Sequence, residues 1–385
     1  MHVGGEVYIG YTVNVSGRLD LDALATAYAA VCRAFPQLSA RLEDGDDGPV
    51  FAASRSLPEI QVRDGDLERP LTGVELDQRR ALSALGVTRD GDDASVSLLT
   101  HHGIGDAGHS IEVLAALWSC YTDAVKGGTV ELPRQRFPRA LEDLLAERGI
   151  HGPAPVPALA VLPTFQRDAV VRYVVQHRMT VTETAALTEL GHRENVTVNG
   201  LLAGVLLLVE AEVRDLPVTE LLLRYSVNLR DRLTPKVGPT EGTNVLGGVS
   251  FTVTDDIAPD PVAIGRAVGG HLRAALADGS AQRSLLDLLA GRAPGGAPWD
   301  PSRTPAVVSM MNWGVVPPLR APDELRLTGF RSASRIRESM AMGGYVVSTF
   351  GGRTGIDLAW PEGAPELPRR LEVLRERLGH MTRQP

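Results

Sequence analysis

The chain has 385 residues, 43% of them hydrophobic and 22% charged, which is the composition of a globular protein and more length than one core usually organises, so two domains are expected. Its net charge of −8, without a long Lys/Arg run, argues against nucleic acid as a partner, because binding phosphates needs clustered basic side chains. Met1 to Glu6 lacks the basic and apolar regions of a secretion signal, and the longest apolar stretch, Leu201 to Val209, falls far short of the ~18 residues that suggest a membrane span, so a cytoplasmic protein with no span is expected.

Alternation over Val7 to Val15 predicts a first strand, broken at Gly17. Asp20 or Asp22 can cap a helix that runs to about Arg33 and stops before Pro36. Short strands are expected at Val50–Ala53 and Glu59–Val62, and a helix near Gly73–Ser83. Ala94 to Thr100 reads as a strand leading directly into His101 and His102. Beyond them Ile111, Leu114, Ala115, Trp118 and Tyr121 recur at helical spacing as far as Gly127 and Gly128. Another helix is expected over Ala140–Gly149. Cys32 and Cys120 both lie in apolar helical patterns and read as buried free thiols.

His151 to Pro163 is rich in proline and marks a boundary, dividing the chain into residues 1–150, a linker at 151–168, and residues 169–385. The second part repeats the mixed pattern. Strands are expected at Val170–Val175, Leu221–Val227, Gly248–Val253, Ala306–Met311, Leu325–Phe330, Tyr345–Phe350 and Thr354–Ala359. Helices are expected at Val181–Leu190, Asn195–Arg214, Val262–Ala277 and Glu366–Leu378, with Asn195–Arg214 apolar nearly all round and therefore buried. Strands and helices alternating in both parts predict two layered α/β domains.

The chemistry is concentrated in His101-His102-Gly103-Ile104-Gly105-Asp106-Ala107, a turn between a strand and a helix. A carboxylate in such a turn can hold an imidazole in one tautomer and leave its other nitrogen free as a base. Other readings compete. Gly103-x-Gly105-x-x-Gly108 formally matches a dinucleotide fingerprint, but no second strand precedes Asp123, where that motif needs its acidic residue. His101, His102, Asp106 and His109 could bind a metal, yet adjacent strand residues point to opposite faces and no second ligand cluster exists. The glycines could also be plain turn punctuation. No Gly-x-Ser-x-Gly elbow is present and neither cysteine has an activating context, so catalysis without a covalent enzyme intermediate is expected.

His101-His102-x-x-x-Asp106-Ala107 resembles the HHxxxDG motif of the condensation-domain and CoA-dependent acyltransferase superfamily. Within it the chain is similar to the polyketide-associated acyltransferases of actinobacteria, and in that group to the mycobacterial phthiocerol dimycocerosyl transferases. The likeness continues through Tyr121–Val125, Leu145–Ile150 and Pro239–Gly247. It implies two chloramphenicol-acetyltransferase-like α/β halves forming a pseudo-dimer with a tunnel between them. It also implies acyl transfer from an acyl carrier protein or acyl-CoA to a small-molecule alcohol or amine, with no resident cofactor and no metal. His102 would be the base with His101 in support, and Asp106 would hold the loop by pairing with Arg230 of Asn228-Leu229-Arg230, where the family has Asp-Leu-Arg. Gly103, Ala107, Asn244 and Asn312 would lie near the substrates.

Ala107 stands where the motif has glycine, a strain if that position needs positive φ and harmless if it is helical. The chain also begins almost at the first aligned strand, without a segment that relatives carry, so altered acceptor access is expected. Acidic carriers call for a basic docking patch, for which Arg266, His271 and Arg273 on one predicted helix are candidates. The enzyme is expected to act as a monomer that esterifies a polyketide or lipid-like hydroxyl. The alternatives are a related domain repurposed for amide formation or cyclisation, and a non-catalytic docking module.

Overall fold

In the computed structural model, which describes residues 7–46, 48–54, 57–152, 169–289, 306–337 and 343–383, the first alternating segment is strand β1 (Tyr8–Gly17). Tyr11, Val13 and Val15 point from it into a core shared with helices α1 (Leu21–Ala34) and α2 (Ala107–Val125). Asp20 caps α1 by accepting from Ala23 N–H at 2.9 Å, and Pro36 ends the run. Strands β2 (Ala40–Gly45) and β3 (Gly48–Ala53) form a separate hairpin, while β4 (Ile60–Asp64), β5 (Ser83–Asp90) and β6 (Asp93–His101) extend the sheet from β1.

The helix expected near Gly73–Ser83 does not form. Gly73 adopts φ +75°, outside the helical region, and the segment runs as turns whose Leu71, Val74 and Leu76 cover Tyr8, Leu99 and Ala333 on the sheet. Burial of a sheet face outweighs local helical preference here. Strand β5 carries no alternation because Ser83 to Thr88 are buried on both faces. The helix expected over Ala140–Gly149 shortens to α3 (Leu141–Ala146), and Gly149 at φ +71° closes the turn after it. Cys32 and Cys120 are buried free thiols, with burial pushing the Cys32 pKa up to about 12.

The expected linker lies outside the described residues except for His151 and Gly152. The second part supplies β7 (Ala169–Arg178), α4 (Val181–Glu194), α5 (Val198–Arg214), β8 (Leu221–Asn228), β9 (Leu246–Thr252), α6 (Pro261–Ala277), α7 (Ser280–Leu289), β10 (Ala306–Val315), β11 (Leu325–Arg337), β12 (Gly344–Phe350), β13 (Arg353–Pro361) and α8 (Leu367–Arg383). Helix α5 runs buried along most of its length through this half's core. It crosses α6 almost backbone to backbone: a Cβ on Gly200 would stand 2.6 Å from Gly265 O, and one on Gly204 would overlap Pro261 O. Buried Glu210 of α5 accepts from Arg370 Nε at 2.8 Å, Tyr345 OH at 2.5 Å and Arg214 Nε at 2.5 Å.

Among the described residues one sheet runs in the order β4-β5-β6-β1-β11-β7-β13-β12-β10-β8-β9. Strand β11, from late in the chain, lies against β1 along the whole of β1. It pairs with β7 only at Arg335–Arg337, so the two parts of the sheet diverge beyond that point. Side chains span the divergence. Gln176 donates to Phe330 O at 2.9 Å and to Asp357 Oδ1 at 2.8 Å, and Asp357 Oδ2 accepts from Ser332 N–H at 2.6 Å. No single helix among the described residues is long and apolar enough to cross a membrane. The pair α4 and α5 passes that test only together, with a bend of 103° between them.

Candidate active site

Strand β6 ends at His101, and the chain turns through Gly103 to Gly105 before Asp106 caps α2. Asp106 is fully buried. Its Oδ1 accepts from His109 N–H at 2.9 Å, and its Oδ2 accepts from Arg230 Nη1 at 2.8 Å and Val245 N–H at 2.7 Å. One carboxylate thus caps a helix, pairs with an arginine and holds the loop before β9. Arg230 also donates from Nε to Pro239 O at 2.9 Å and from Nη2 to Gly242 O at 3.5 Å. Asn228, where the family has aspartate, accepts from Arg230 N–H at 3.0 Å, a turn bond that a neutral amide makes as well as a carboxylate.

His102 is half-buried. Its Nδ1 lies 3.4 Å from Gly105 O, and because a carbonyl only accepts, the ring proton sits on Nδ1. No hydrogen bond reaches Nε2 among the described residues. Burial lowers the His102 pKa below its ordinary value, the Gly105 carbonyl and the Asp106 charge opposing it, so the neutral ring is favoured. His101 points the other way: it is buried, packs edge-on to Tyr8 at 5.3 Å, and accepts from Gly103 N–H at 3.0 Å through Nδ1. The motif glycines all avoid positive φ and serve close packing instead. A Cβ on Gly108 would come 3.1 Å from Arg230 Nη1, and one on Gly103 3.0 Å from His101 Nδ1.

Ala107 is the first residue of α2 and has no positive φ, so the alanine is unstrained where the motif has glycine. Asn244 is buried and donates from Nδ2 to His102 O at 2.7 Å, while its Oδ1 has no hydrogen-bond partner among the described residues. Asn244 and Gly103 line a cavity of about 360 Å³, together with Phe51, Phe137, Leu141 and Leu285. Residues from both sides of the expected linker therefore form its wall.

Asn312 is not among the residues that line this cavity. It donates to Asn199 Oδ1 at 2.9 Å and accepts from Gly314 N–H at 2.8 Å. Its neighbour Trp313 does reach the first half, packing on Tyr11 at 4.8 Å, and Tyr11 is so buried that its hydroxyl is held protonated. Arg266, His271 and Arg273 are all exposed on α6 but do not share one face: Arg266 and Arg273 align, whereas His271 lies about 140° round the helix from Arg266. Arg266 also pairs with Glu194 at 3.6 Å.

The Gly242 carbonyl, the Val245 N–H and the Gln37 amide, whose Nε2 lies 2.8 Å from His109 Nε2, were not legible in the sequence. The first two are backbone groups that any residue type supplies, and Gln37 lies more than sixty positions upstream of the motif. Asp123, which a dinucleotide site would need at a strand end, sits within α2 and pairs with Arg320 at 2.7 Å.

Residues 168–359 match the family model described as "Phthiocerol/phthiodiolone dimycocerosyl transferase C-terminus". The chain is 31% identical over 395 residues to the phthiocerol/phthiodiolone dimycocerosyl transferase of Mycobacterium ulcerans, covering 96% of this chain and 92% of that protein. It is 28% identical to the protein of the same name from Mycobacterium leprae, over 97% and 92% of the two chains. Among solved structures it is similar to polyketide synthase associated protein 5 from Mycobacterium tuberculosis, with a TM-score of 0.79 and 26% identity over 98% of this chain and 94% of that one. The first condensation domain of the CDA synthetase shares the fold at a TM-score of 0.70 and 14% identity, over 98% of this chain and 91% of that one.

Proposed function

Because the chain belongs to the phthiocerol/phthiodiolone dimycocerosyl transferase family and is an acyltransferase, we propose that it moves an acyl group from a phosphopantetheine thioester, on a carrier protein or CoA, to a hydroxyl of a polyketide or lipid-like acceptor. The observation that carries this reading is the setting of His102: its Nδ1 faces Gly105 O at 3.4 Å, no hydrogen-bond partner reaches its Nε2 among the described residues, and the neighbouring Gly103 lines a mainly apolar cavity.

In the proposed reaction, His102 Nε2 takes the acceptor's O–H proton as its oxygen attacks the thioester carbon. The tetrahedral intermediate collapses with cleavage of the C–S bond, and the imidazolium returns the proton to the departing thiolate. Thioester and alcohol become ester and thiol, with no covalent enzyme intermediate. Such a base contributes about 10²–10⁴-fold. Holding both substrates in a confined site can supply roughly 7–11 kcal/mol more. Asp106 and Arg230 touch neither substrate in this scheme; they hold the turn that presents His102. Ala107, where the chain departs from the motif, is helical and unstrained, so it lends no support to the alternative of a non-catalytic docking module.

The test is to incubate the protein with acyl-CoA thioesters of graded length and long-chain alcohols, following thiol release and ester mass. His102→Ala is expected to abolish transfer while the melting temperature is unchanged. A His102→Ala protein with near-normal transfer overturns the mechanism, and thiol release without ester formation overturns the alcohol acceptor.

A further inference from the structure

Resting on that reading of His102, we propose that His109 is a positioning residue that holds the base in its working tautomer through the backbone of Gly105 and fastens the motif turn to the second half of the chain. The sequence singles out His109 as the third histidine of the segment, and neither proton transfer nor loop pairing employs it.

His109 lies in the first turn of α2 and is 2% exposed. Its Nδ1 is 3.0 Å from Gly242 O, which can only accept, so Nδ1 carries the proton. Its Nε2 is then an acceptor, and Gln37 Nε2 donates to it at 2.8 Å from the 3-10 turn at Pro36–Ser39. Both nitrogens are satisfied at once by the neutral Nδ1–H tautomer. Burial favours the same uncharged ring.

The contact of this ring with Gly105 is what connects it to His102. A Cβ on Gly105 would lie 3.3 Å from His109 Cγ and 3.4 Å from Cδ2, so the imidazole packs directly against the Gly105 backbone. The carbonyl of that residue accepts from His102 Nδ1. Support therefore runs from Gln37 through His109 to Gly105 and on to His102. The Gly242 carbonyl that anchors the ring also accepts from Arg230 Nη2, so the same ring ties the turn to the loop carrying Asn244. If the ring is lost, Gly105 can shift and His102 can exchange its Nδ1–H form for the other tautomer, which has no lone pair on Nε2.

Three variants separate positioning from plain packing. His109→Leu keeps the bulk and removes both hydrogen bonds. His109→Asn keeps a donor near the Nδ1 position, and His109→Gln places its amide near Nε2. The expected result for His109→Leu is a kcat lowered roughly 10–100-fold with KM little changed. The ¹⁵N spectrum of the His102 ring should change with it, from a single Nδ1–H form to a tautomer mixture. His109→Asn should restore both readouts further than His109→Gln.

A folded His109→Leu protein with wild-type kcat and an unchanged His102 tautomer overturns the proposal, as does a fall in melting temperature with neither readout altered. If His109→Leu does not fold, the Asn and Gln variants decide, and equal kcat and equal His102 spectra for the two overturn it. Absence of transfer in the wild-type protein would instead refute the proposed function, and the tautomer comparison would still test the support running from His109 to His102.

Discussion

Asp106→Ala removes a helix cap, a buried ion pair and a backbone acceptor in one step, and the structure sets the size of the loss. A lost cap costs about 1 kcal/mol. Stranding the Val245 N–H costs about 1–3 kcal/mol, since Val245 is fully buried. Removing one member of a buried ion pair costs roughly 3–5 kcal/mol, and Arg230 and Asp106 are 6% and 0% exposed. All three act at one carboxylate and overlap, so the expected net loss is about 3–5 kcal/mol rather than their sum. Urea unfolding followed by tryptophan fluorescence would show it as a lowered midpoint at constant slope. Arg230 retains carbonyl acceptors at Pro239 and Gly242, but these leave its charge uncompensated. Adding Arg230→Met to Asp106→Ala should therefore recover part of the loss, a coupling on the order of 1–3 kcal/mol. A single variant that loses less than about 1 kcal/mol, the value of an exposed pair, would refute the reasoning. So would two losses that simply add.

The depressed pKa of His102 has the sign of a base kept neutral below its ordinary range: the acid limb of kcat/KM should fall below about pH 6.5 and the rate should be flat through neutral pH. The same depression at His102 and His109 means that the unfolded chain takes up protons first on acidification, so stability should decline as pH falls from about 6.5 towards the folded values. Thermal melts at two pH values check this, and a melting temperature that rises on acidification contradicts it. Gly204→Ala drives a methyl into Pro261 O and should destabilise the protein by roughly 1–3 kcal/mol with kcat intact, read by urea unfolding alongside the transfer assay. Ala107→Gly should change stability by at most about 1 kcal/mol and leave turnover as it is, because the position is helical. A large gain in turnover would show that the methyl obstructs the substrate.

The strand-turn-helix that carries the candidate site was legible in the sequence because the motif is local. The strand ending at His101, the turn and the helix that Asp106 caps all lie within about thirty residues, and alternation, capping and helical spacing act at that range. Arg230 came into view only through the family resemblance, since nothing in the spacing of Asp106 and Arg230 places them 2.8 Å apart. Ala107 could not be judged until its backbone conformation was known. The segment at Gly73–Ser83 shows the opposite failure, where local pattern suggested a helix and the need to cover Tyr8, Leu99 and Ala333 produced turns. What only the tertiary structure decided is how the parts meet: β11 completing the sheet beside β1, the Gly242 carbonyl gripping both Arg230 and His109, and Asn244 reaching His102. Apart from the Gly242–Arg230 bond, which spans 12 residues, these join groups more than a hundred residues apart in the chain. A carbonyl has the same chemistry in every residue, so the sequence does not mark which one the fold will use.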